Sequence, residues 1–175
     1  HVRDVDAAGI SRVNLIDATP IGVNVRSTVA TYSGVLDELR RAFARTEEAQ
    51  AAGLKPGAFS YNTGSLRCPT CDGTRQITLD VQFLPDVDIE CTDCRGSRYG
   101  AQAASILRDG LSLPDIMAMS VDEARVAVRG LKKAGALLET LSGLGLGYLT
   151  LGESTPALSG GEAQRLKLAS EMGRR

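Results

Sequence analysis

The sequence has few large aromatic side chains and no excess of charge of either sign. Its 175 residues include no tryptophan, three phenylalanines and four tyrosines, so the core must be mainly aliphatic. Basic and acidic residues number 20 and 21, which excludes a protein that holds nucleic acid by net positive charge alone. No apolar run is long enough to span a membrane. The charged residues His1 to Ile10 lack the apolar stretch of a secretory signal.

The length is that of one ordinary domain, large enough to bury a hydrophobic core. Apolar residues make up 43% of the sequence, as in a soluble globular protein, and 19 glycines indicate many turns. The first functional signal is carried by the cysteines, which number four and occur in two pairs.

The hydrophobic pattern predicts a mainly helical α+β fold. Before the cysteines we expect a strand, an irregular loop, two helices and another short strand, at residues 10–16, 17–30, 33–43, 46–52 and 59–62. Thr31 or Ser33 is expected to cap the first of these helices. After residue 100 the pattern is helical, and a capping box of Ser120 and Glu123 begins one of the helices.

Two C-x-x-C pairs, Cys68 with Cys71 and Cys91 with Cys94, flank a predicted β-hairpin. Residues 77–83 alternate between apolar and polar side chains, which predicts a half-buried strand, and residues 87–89 supply the return strand. Because the hairpin brings the pairs together, four thiolates can surround one ion in the tetrahedral arrangement of a structural zinc site. Both pairs continue as C-x-x-C-x-G-x-R, which is an internal repeat.

Disulfides or redox dithiols are the alternatives to zinc, and both the spacing and the missing secretory signal weigh against them. A closed site of four cysteines leaves no position for a substrate, so its role is structural. The cysteine-bearing hairpin has one of two roles. The metal site only stabilises the hairpin, or the hairpin also contacts nucleic acid through Arg67, Arg75, Arg95 and Arg98. Residues 64–100 contain these four arginines and six acidic residues, and this negative net charge does not favour a phosphate-binding surface.

A glycine-rich turn opens the last predicted helix. The string is Leu158-Ser159-Gly160-Gly161-Glu162-Ala163-Gln164-Arg165, in which Ser159 and Glu162 form a capping box. Paired glycines leave backbone N–H groups open at a helix N-terminus, where the helix dipole favours an anion such as phosphate. An ordinary capped helix would explain Ser-Gly-Gly alone, but the full string argues against that interpretation.

The full string resembles the signature motif of ABC ATPases. Its continuation at residues 166–169 and its approach at residues 145–152 are similar to the UvrA family, the ABC-type excinuclease component of bacterial nucleotide excision repair. Further similar stretches occur in the family's order at residues 20–22, 31–32, 56–60, 83–86 and 98–99. The resemblance therefore covers nearly the whole chain, and it is to the second half of the family's proteins.

The resemblance implies an ABC-type signature domain with an inserted four-cysteine zinc hairpin. The expected segments are an N-terminal part, the zinc hairpin and a helical signature subdomain, at residues 1–63, 64–100 and 101–175. In the implied mechanism the signature turn closes over ATP, held with Mg²⁺ by the other half of the ATPase. Ser159 would offer its hydroxyl, Gly160 and Gly161 their N–H groups, and Glu162 would set the helix start. Gln164 and Arg165 would support the turn.

The resemblance also implies damaged duplex DNA, the excinuclease B subunit and a second copy of the parent protein as partners, in a cytoplasmic repair system linked to the SOS response. No Walker A string, G-x-x-x-x-G-K-[ST], occurs, and no apolar strand ending in Asp-Glu follows the signature helix. The family carries these motifs upstream and downstream. We therefore expect a piece of a longer ATPase that does not turn over ATP by itself.

Two positions depart from the family pattern. Glu153 stands where glutamine is common, and Arg75 where glycine is more usual. Other functions stay open: a UvrA-like paralogue for drug self-resistance, or a zinc-stabilised binding module, since DnaJ-type chaperones also repeat C-x-x-C-x-G. A zinc-clipped structural domain whose glycine turn is only a helix cap is the remaining alternative.

Overall fold

The computed structural model describes residues 9, 16, 21, 24–80, 82–83 and 85–173. The strand predicted at residues 10–16, except for Ile16, and residues 17–20, 22 and 23 of the loop predicted at 17–30 lie outside the described residues. The described end of that loop is irregular from Asn24 to Ser27, as predicted, and the first helix begins at Val29.

Three short helices form the N-terminal part, α1 (Val29–Tyr32), α2 (Val35–Phe43) and α3 (Glu47–Ala51). The predicted caps Thr31 and Ser33 are wrong, because Gly34 occupies the N-cap position of α2 and Thr28 caps α1, where its hydroxyl accepts from the Thr31 N–H. Gly34 separates α1 from α2, and its φ of 82° is the left-handed conformation that glycine adopts without strain. Helix α2 buries its apolar face, as its spacing predicted.

The strand predicted at residues 59–62 is wrong. A 3-10 helix, Pro56–Phe59, occupies its start, and turns follow. The backbone there bonds locally, for example from Gly64 N to Ser60 O at 2.7 Å. The apolar spacing that predicted a strand instead brings Phe59 and Tyr61, both fully buried, into the core.

The predicted hairpin is present at the cysteines. Strand β1 (Gln76–Leu79) pairs antiparallel with β2 (Val87–Glu90), and Ile77 lies opposite Ile89. The prediction of a half-buried strand is wrong beyond Ile77, because the other residues of β1 are exposed and all of β2 is exposed. Phe83, between the strands, is 95% exposed. We call β1 and β2 the ribbon.

The part after the ribbon is mainly helical, as predicted. Its elements are α4 (Ala101–Ala104), β3 (Leu107–Arg108), β4 (Leu111–Ser112), α5 (Leu113–Ala118), α6 (Val121–Ala127), α7 (Lys132–Leu141) and α8 (Gly160–Gly173). Strands β3 and β4 form a second antiparallel pair. The predicted capping box of Ser120 and Glu123 starts α6.

One hydrophobic core joins the chain on both sides of the ribbon. Val29, Leu39 and Phe59 from the N-terminal part belong to the same buried cluster as Leu138 and Leu166. The four cysteines form a separate buried cluster, against which Ile77 packs. The fold therefore consists of helices around one core, with the ribbon held on a small cluster of its own. Among the described residues, no helix combines the length and the apolar character needed to cross a membrane.

Candidate functional site

The four cysteines lie together at the base of the ribbon. Their sulfur atoms are all within 4.8 Å of one another, and all four side chains are buried. The Sγ atoms of Cys68 and Cys91 are 3.9 Å apart, and those of Cys71 and Cys94 are 3.6 Å apart. None of the four is in a disulfide. The ribbon thus brings the two pairs together, as the sequence predicted.

The spacing of the sulfur atoms fits a metal ion. Four sulfurs bound about 2.3 Å from one ion in a tetrahedron would be about 3.8 Å from each other. The two measured separations, 3.6 and 3.9 Å, lie on either side of that value. A disulfide needs sulfurs only about 2.05 Å apart. The cluster can therefore hold a tetrahedral ion as it stands.

The internal repeat of the sequence is also a repeat of backbone conformation. Positive φ angles occur at corresponding positions of the two pairs, namely Asp72, Gly73 and Arg75 in the first and Arg95, Gly96 and Arg98 in the second. The glycine is required in the first pair, because a Cβ on Gly73 would lie 1.8 Å from the carbonyl oxygen of Tyr61. The repeat curls the chain in the same way around each pair of sulfurs.

Backbone N–H groups of the two C-x-x-C turns point at the sulfur atoms. Burial raises the pKa of the Cys68 thiol and raises that of Cys94 to about 12, whereas a hydrogen bond from the Cys94 N–H lowers the pKa of Cys91. The N–H of Arg98 donates to the Cys94 sulfur. Such N–H donors stabilise a thiolate, which is the form that binds a metal.

The predicted capping box at the start of α8 is formed. The Ser159 N–H donates to Glu162 Oε2 at 2.7 Å, and the Glu162 N–H donates to Ser159 Oγ at 3.4 Å. The second carboxylate oxygen, Oε1, accepts from the hydroxyl of Tyr148 at 2.5 Å. The Tyr148 hydroxyl first, and then the Ser159 N–H, hold the pKa of Glu162 below its ordinary value. The sequence pattern had assigned no role to Tyr148.

The two glycines of the turn face open space. A Cβ built on Gly160 or Gly161 would meet no atom within 4 Å, and Ser159 and Gln164 are exposed. Leu158, in contrast, packs against the hydrophobic core. The turn is therefore anchored on one side and open on the other, where the free N–H groups of a helix N-terminus suit an anion.

Arg165 ties α8 to the glycine-rich segment that precedes the turn. Its Nη1 donates to the carbonyl oxygens of Leu144 at 3.1 Å and Gly145 at 3.2 Å. Its Nε donates to Gly161 O at 3.3 Å. The guanidinium therefore faces the protein, where it joins the start of α8 to residues 144 and 145.

The four arginines considered for DNA contact differ in availability. Arg98 is 2% exposed and its hydrogen bonds are internal, so it is not available to DNA. Arg67 Nε pairs with Asp72 at 2.7 Å. Arg75 makes only a long ion pair, 3.7 Å to Glu90, and Arg95 has no ion pair with the described residues. Arg75 and Arg95 are therefore the two that are not held by a close ion pair with a described residue.

These two arginines line a cleft between the base of the ribbon and α5. The cleft has a volume of about 260 Å³, and Pro114 and Met117 form part of its other wall. Glu153, one of the two departures from the family pattern, also lines it. The charged residues that line the cleft are thus mainly basic, although residues 64–100 as a whole are acidic.

The structure also connects the two predicted sites. Arg98, next to the cysteines, donates to the hydroxyl of Ser154 at 2.7 Å, although the two residues are 56 positions apart. Ser154 lies shortly before the signature turn. Sequence reasoning missed this contact, because no local pattern relates residues so distant along the chain.

Comparison with known proteins identifies relatives over almost the whole chain. No protein-family model matches it. The chain is 45% identical to UvrABC system protein A of Synechocystis over 166 residues, which are 95% of this chain and 17% of that protein. Identity to the Helicobacter pylori UvrABC system protein A is 42% over 174 residues, which are 99% of this chain and 19% of that protein.

A solved structure supports the same relationship. The crystal structure of UvrA2 from Deinococcus radiodurans matches with a TM-score of 0.85 at 41% sequence identity, over 97% of this chain and 21% of that one. The chain thus spans about a fifth of the length of its relatives. It is therefore a homologue of one segment of UvrA, and the family resemblance carried by its motifs is confirmed.

Proposed function

We propose that this chain is the zinc-bearing signature segment of a UvrA-like ABC ATPase that recognises damaged DNA in nucleotide excision repair. One observation carries the proposal. A closed cluster of four cysteines and an open Ser-Gly-Gly turn occur together in a chain that is similar to UvrA over 95% of its length.

In this proposal the turn closes on ATP and Mg²⁺ that are held by the other half of the ATPase. The N–H groups of Gly160 and Gly161 and the hydroxyl of Ser159 contact the terminal phosphate, because no side chain covers the two glycines. Gln164 and Arg165 support the turn, and Arg165 does so through the carbonyls of the preceding segment. Walker motifs come from other parts of the parent, so this chain alone does not hydrolyse ATP.

Zinc is the ion that we propose for the cysteine cluster. Four thiolates at tetrahedral spacing suit zinc, and the closed shell leaves no position for a substrate. Cys68, Cys71, Cys91 and Cys94 would hold the ion, which would supply the cross-link on which the exposed ribbon depends. We propose residues 64–100 as the zinc module between the segments 1–63 and 101–175.

In this proposal Arg75 and Arg95 contact damaged duplex DNA, because they line the cleft and are not held by close ion pairs with the described residues. The excinuclease B subunit and a second copy are proposed as partners of the parent protein, in the cytoplasm. Both partners follow from the family resemblance and not from a surface of this chain.

A chimera tests the proposal. The matching segment of the Bacillus subtilis UvrABC system protein A is replaced by this chain, and ATP hydrolysis is measured with damaged DNA. We expect the chimera to be active, and Gly161→Asp to lower its rate by roughly 100-fold, because a carboxylate would occupy the place of a phosphate.

Gly135→Asp is the matched control, since Gly135 in α7 also faces open space and lies outside the turn. It should leave the rate unchanged. Equal rates for the two variants would contradict the proposal and would favour the alternative in which the turn is only a helix cap.

A UvrA-like paralogue for drug self-resistance is the second candidate. Cells that carry the chimera in place of their own protein separate the two. Restored survival after ultraviolet irradiation would support repair, and survival gained only against a DNA-binding drug would support resistance.

A further inference from the structure

Arg98 is a buried cation with no carboxylate partner among the described residues. Its side chain is 2% exposed, and burial lowers the pKa of its guanidinium. The guanidinium lies over the ring of Tyr61, 5.1 Å from the centroid, and its Nε has no hydrogen-bond partner in the described part of the chain. Because a buried charge loses its hydration, the contacts that keep Arg98 in place must offset a substantial penalty.

The main chain of Arg98 is part of the cysteine cluster. Its N–H donates to the sulfur of Cys94, and its carbonyl oxygen accepts from the Cys68 N–H at 2.9 Å. One residue therefore bonds to a cysteine of each pair. Its position depends on the two pairs remaining together.

The side chain of Arg98 reaches out of the cluster in two directions. Nη1 donates to the carbonyls of Gly73 and Thr74, at 3.1 and 3.3 Å, which belong to the first pair's turn. Nη2 donates to Val25 O at 3.1 Å and to Ser154 Oγ at 2.7 Å. The same guanidinium thus contacts the cluster and two segments outside it.

Ser154 belongs to the segment that leads into the signature turn. This segment is tied to the N-terminal part by the hydrogen bonds from Val29 N to Glu153 O, 3.0 Å, and from Thr155 N to Ser27 O, 2.9 Å. A 3-10 helix, Thr155–Ala157, follows and ends next to Leu158, where the signature string begins. The Arg98 contact therefore lies at the start of the approach to the turn.

We propose that Arg98 is a positioning residue that couples the metal-bound state of the cysteine cluster to residues 153–158, and so to the signature turn. The inference rests on the metal site of the proposed function and does not depend on ATP hydrolysis. When the cluster opens, the main chain of Arg98 is released and its bond to Ser154 is lost. Because coupling between two sites is reciprocal, loosening the 153–158 segment weakens metal binding by the same factor.

Hydrogen exchange of the 175-residue chain tests this coupling, with zinc bound and after removal of zinc by a chelator. We expect zinc removal to accelerate exchange of the amides in residues 153–158 by roughly fivefold or more. In Ser154→Ala these amides should respond little to zinc, and the zinc affinity should fall by a similar factor. Ser154→Thr, which keeps the hydroxyl, should restore both.

Arg75→Ala is the matched control. Arg75 occupies the position equivalent to Arg98 in the repeat, with a φ of 82° against 73°, but its side chain is 39% exposed and does not reach Ser154. This variant should keep the zinc-dependent exchange of residues 153–158. Because the decisive variant changes Ser154, the test does not require an Arg98 variant to fold.

Equal zinc dependence in the wild type and in Ser154→Ala would overturn the inference. Stoichiometric zinc binding with unchanged exchange in residues 153–158 would also overturn it, while leaving the proposed metal site intact. Failure to bind zinc at all would instead contradict the proposed metal site, and the proposed coupling would be contradicted with it.

Discussion

Nη1 of Arg165 lies 3.2 Å from the carbonyl oxygen of Gly145, and a Cβ on Gly145 would come within 2.9 Å of the same nitrogen. The φ of Gly145 is 73°, in the left-handed region. The chain before the signature turn thus depends on the left-handed conformation of Gly145 and on the hydrogen bond that its carbonyl oxygen accepts from Arg165 of α8.

Gly145→Ala should destabilise the chain by about 1–2 kcal/mol, because an L-residue is strained in the left-handed region. The added methyl group should also displace Arg165. Urea unfolding at neutral pH measures the loss. Gly143→Ala, in the same segment but with open space at its Cβ and no positive φ, is the control and should have a smaller effect. Equal losses for both variants would contradict this role of Gly145.

Glu162 should make stability depend on pH. Its pKa is depressed in the folded state by the Tyr148 hydroxyl and the Ser159 N–H, so its contribution is present above the unfolded pKa of about 4.3 and is lost as the pH falls through the folded value. Glu162→Gln can still form the capping box but does not titrate.

The thermal midpoint of the wild type should therefore exceed that of Glu162→Gln at neutral pH, and the two should converge as the pH falls below the unfolded pKa of about 4.3. Melting curves from neutral pH down through that value check this. A difference that stays constant over that range would show that the carboxylate contacts do not favour its ionised form.

Removal of zinc should unfold the ribbon, because Ile77 alone among its residues is half-buried. Elemental analysis should give one zinc per chain. Zinc at a free concentration about 1,000 times its dissociation constant stabilises a folded site by about 4 kcal/mol, so a chelator should lower the thermal midpoint. Cys91→Ser should abolish the metal and Thr92→Ser should not. A zinc-free chain with an unchanged midpoint would contradict the prediction.

Arg95→Ala should weaken binding of damaged duplex DNA by the chimera. If Arg95 contacts one phosphate, the slope of log affinity against log salt concentration should fall by about 0.9. Arg129→Ala removes the same charge from an exposed position outside the cleft and is the control. Titrations at several salt concentrations measure both variants. The same slope change in Arg129→Ala would mean that overall charge, and not the cleft, determines DNA affinity.

Local patterns in the sequence were enough to predict the capping boxes of Ser120 with Glu123 and of Ser159 with Glu162, the proximity of the two cysteine pairs and the helical character after residue 100. Each of these depends on residues that are near one another in sequence or joined by a tight hairpin. The strand predicted at residues 59–62 was wrong, because Phe59 and Tyr61 are buried from a 3-10 helix and the turn after it. Alternating burial at a period of two does not distinguish such a segment from a strand.

The sequence by itself determined the family, the two cysteine pairs and the capped glycine turn, because each is encoded in a short string whose chemistry depends on spacing. Only the tertiary structure decided which arginine side chains are buried and which are exposed. Arg75 and Arg98 occupy equivalent positions of one repeat and share a backbone conformation, yet the side chain of Arg75 is 39% exposed, whereas Arg98 is 2% exposed and contacts Tyr61 and Ser154. The physical reason is that Arg98 lies beside Tyr61 of the core and Ser154, whereas Arg75 lies beside Glu90 of the ribbon, and the sequence repeat carries no information about these distant neighbours.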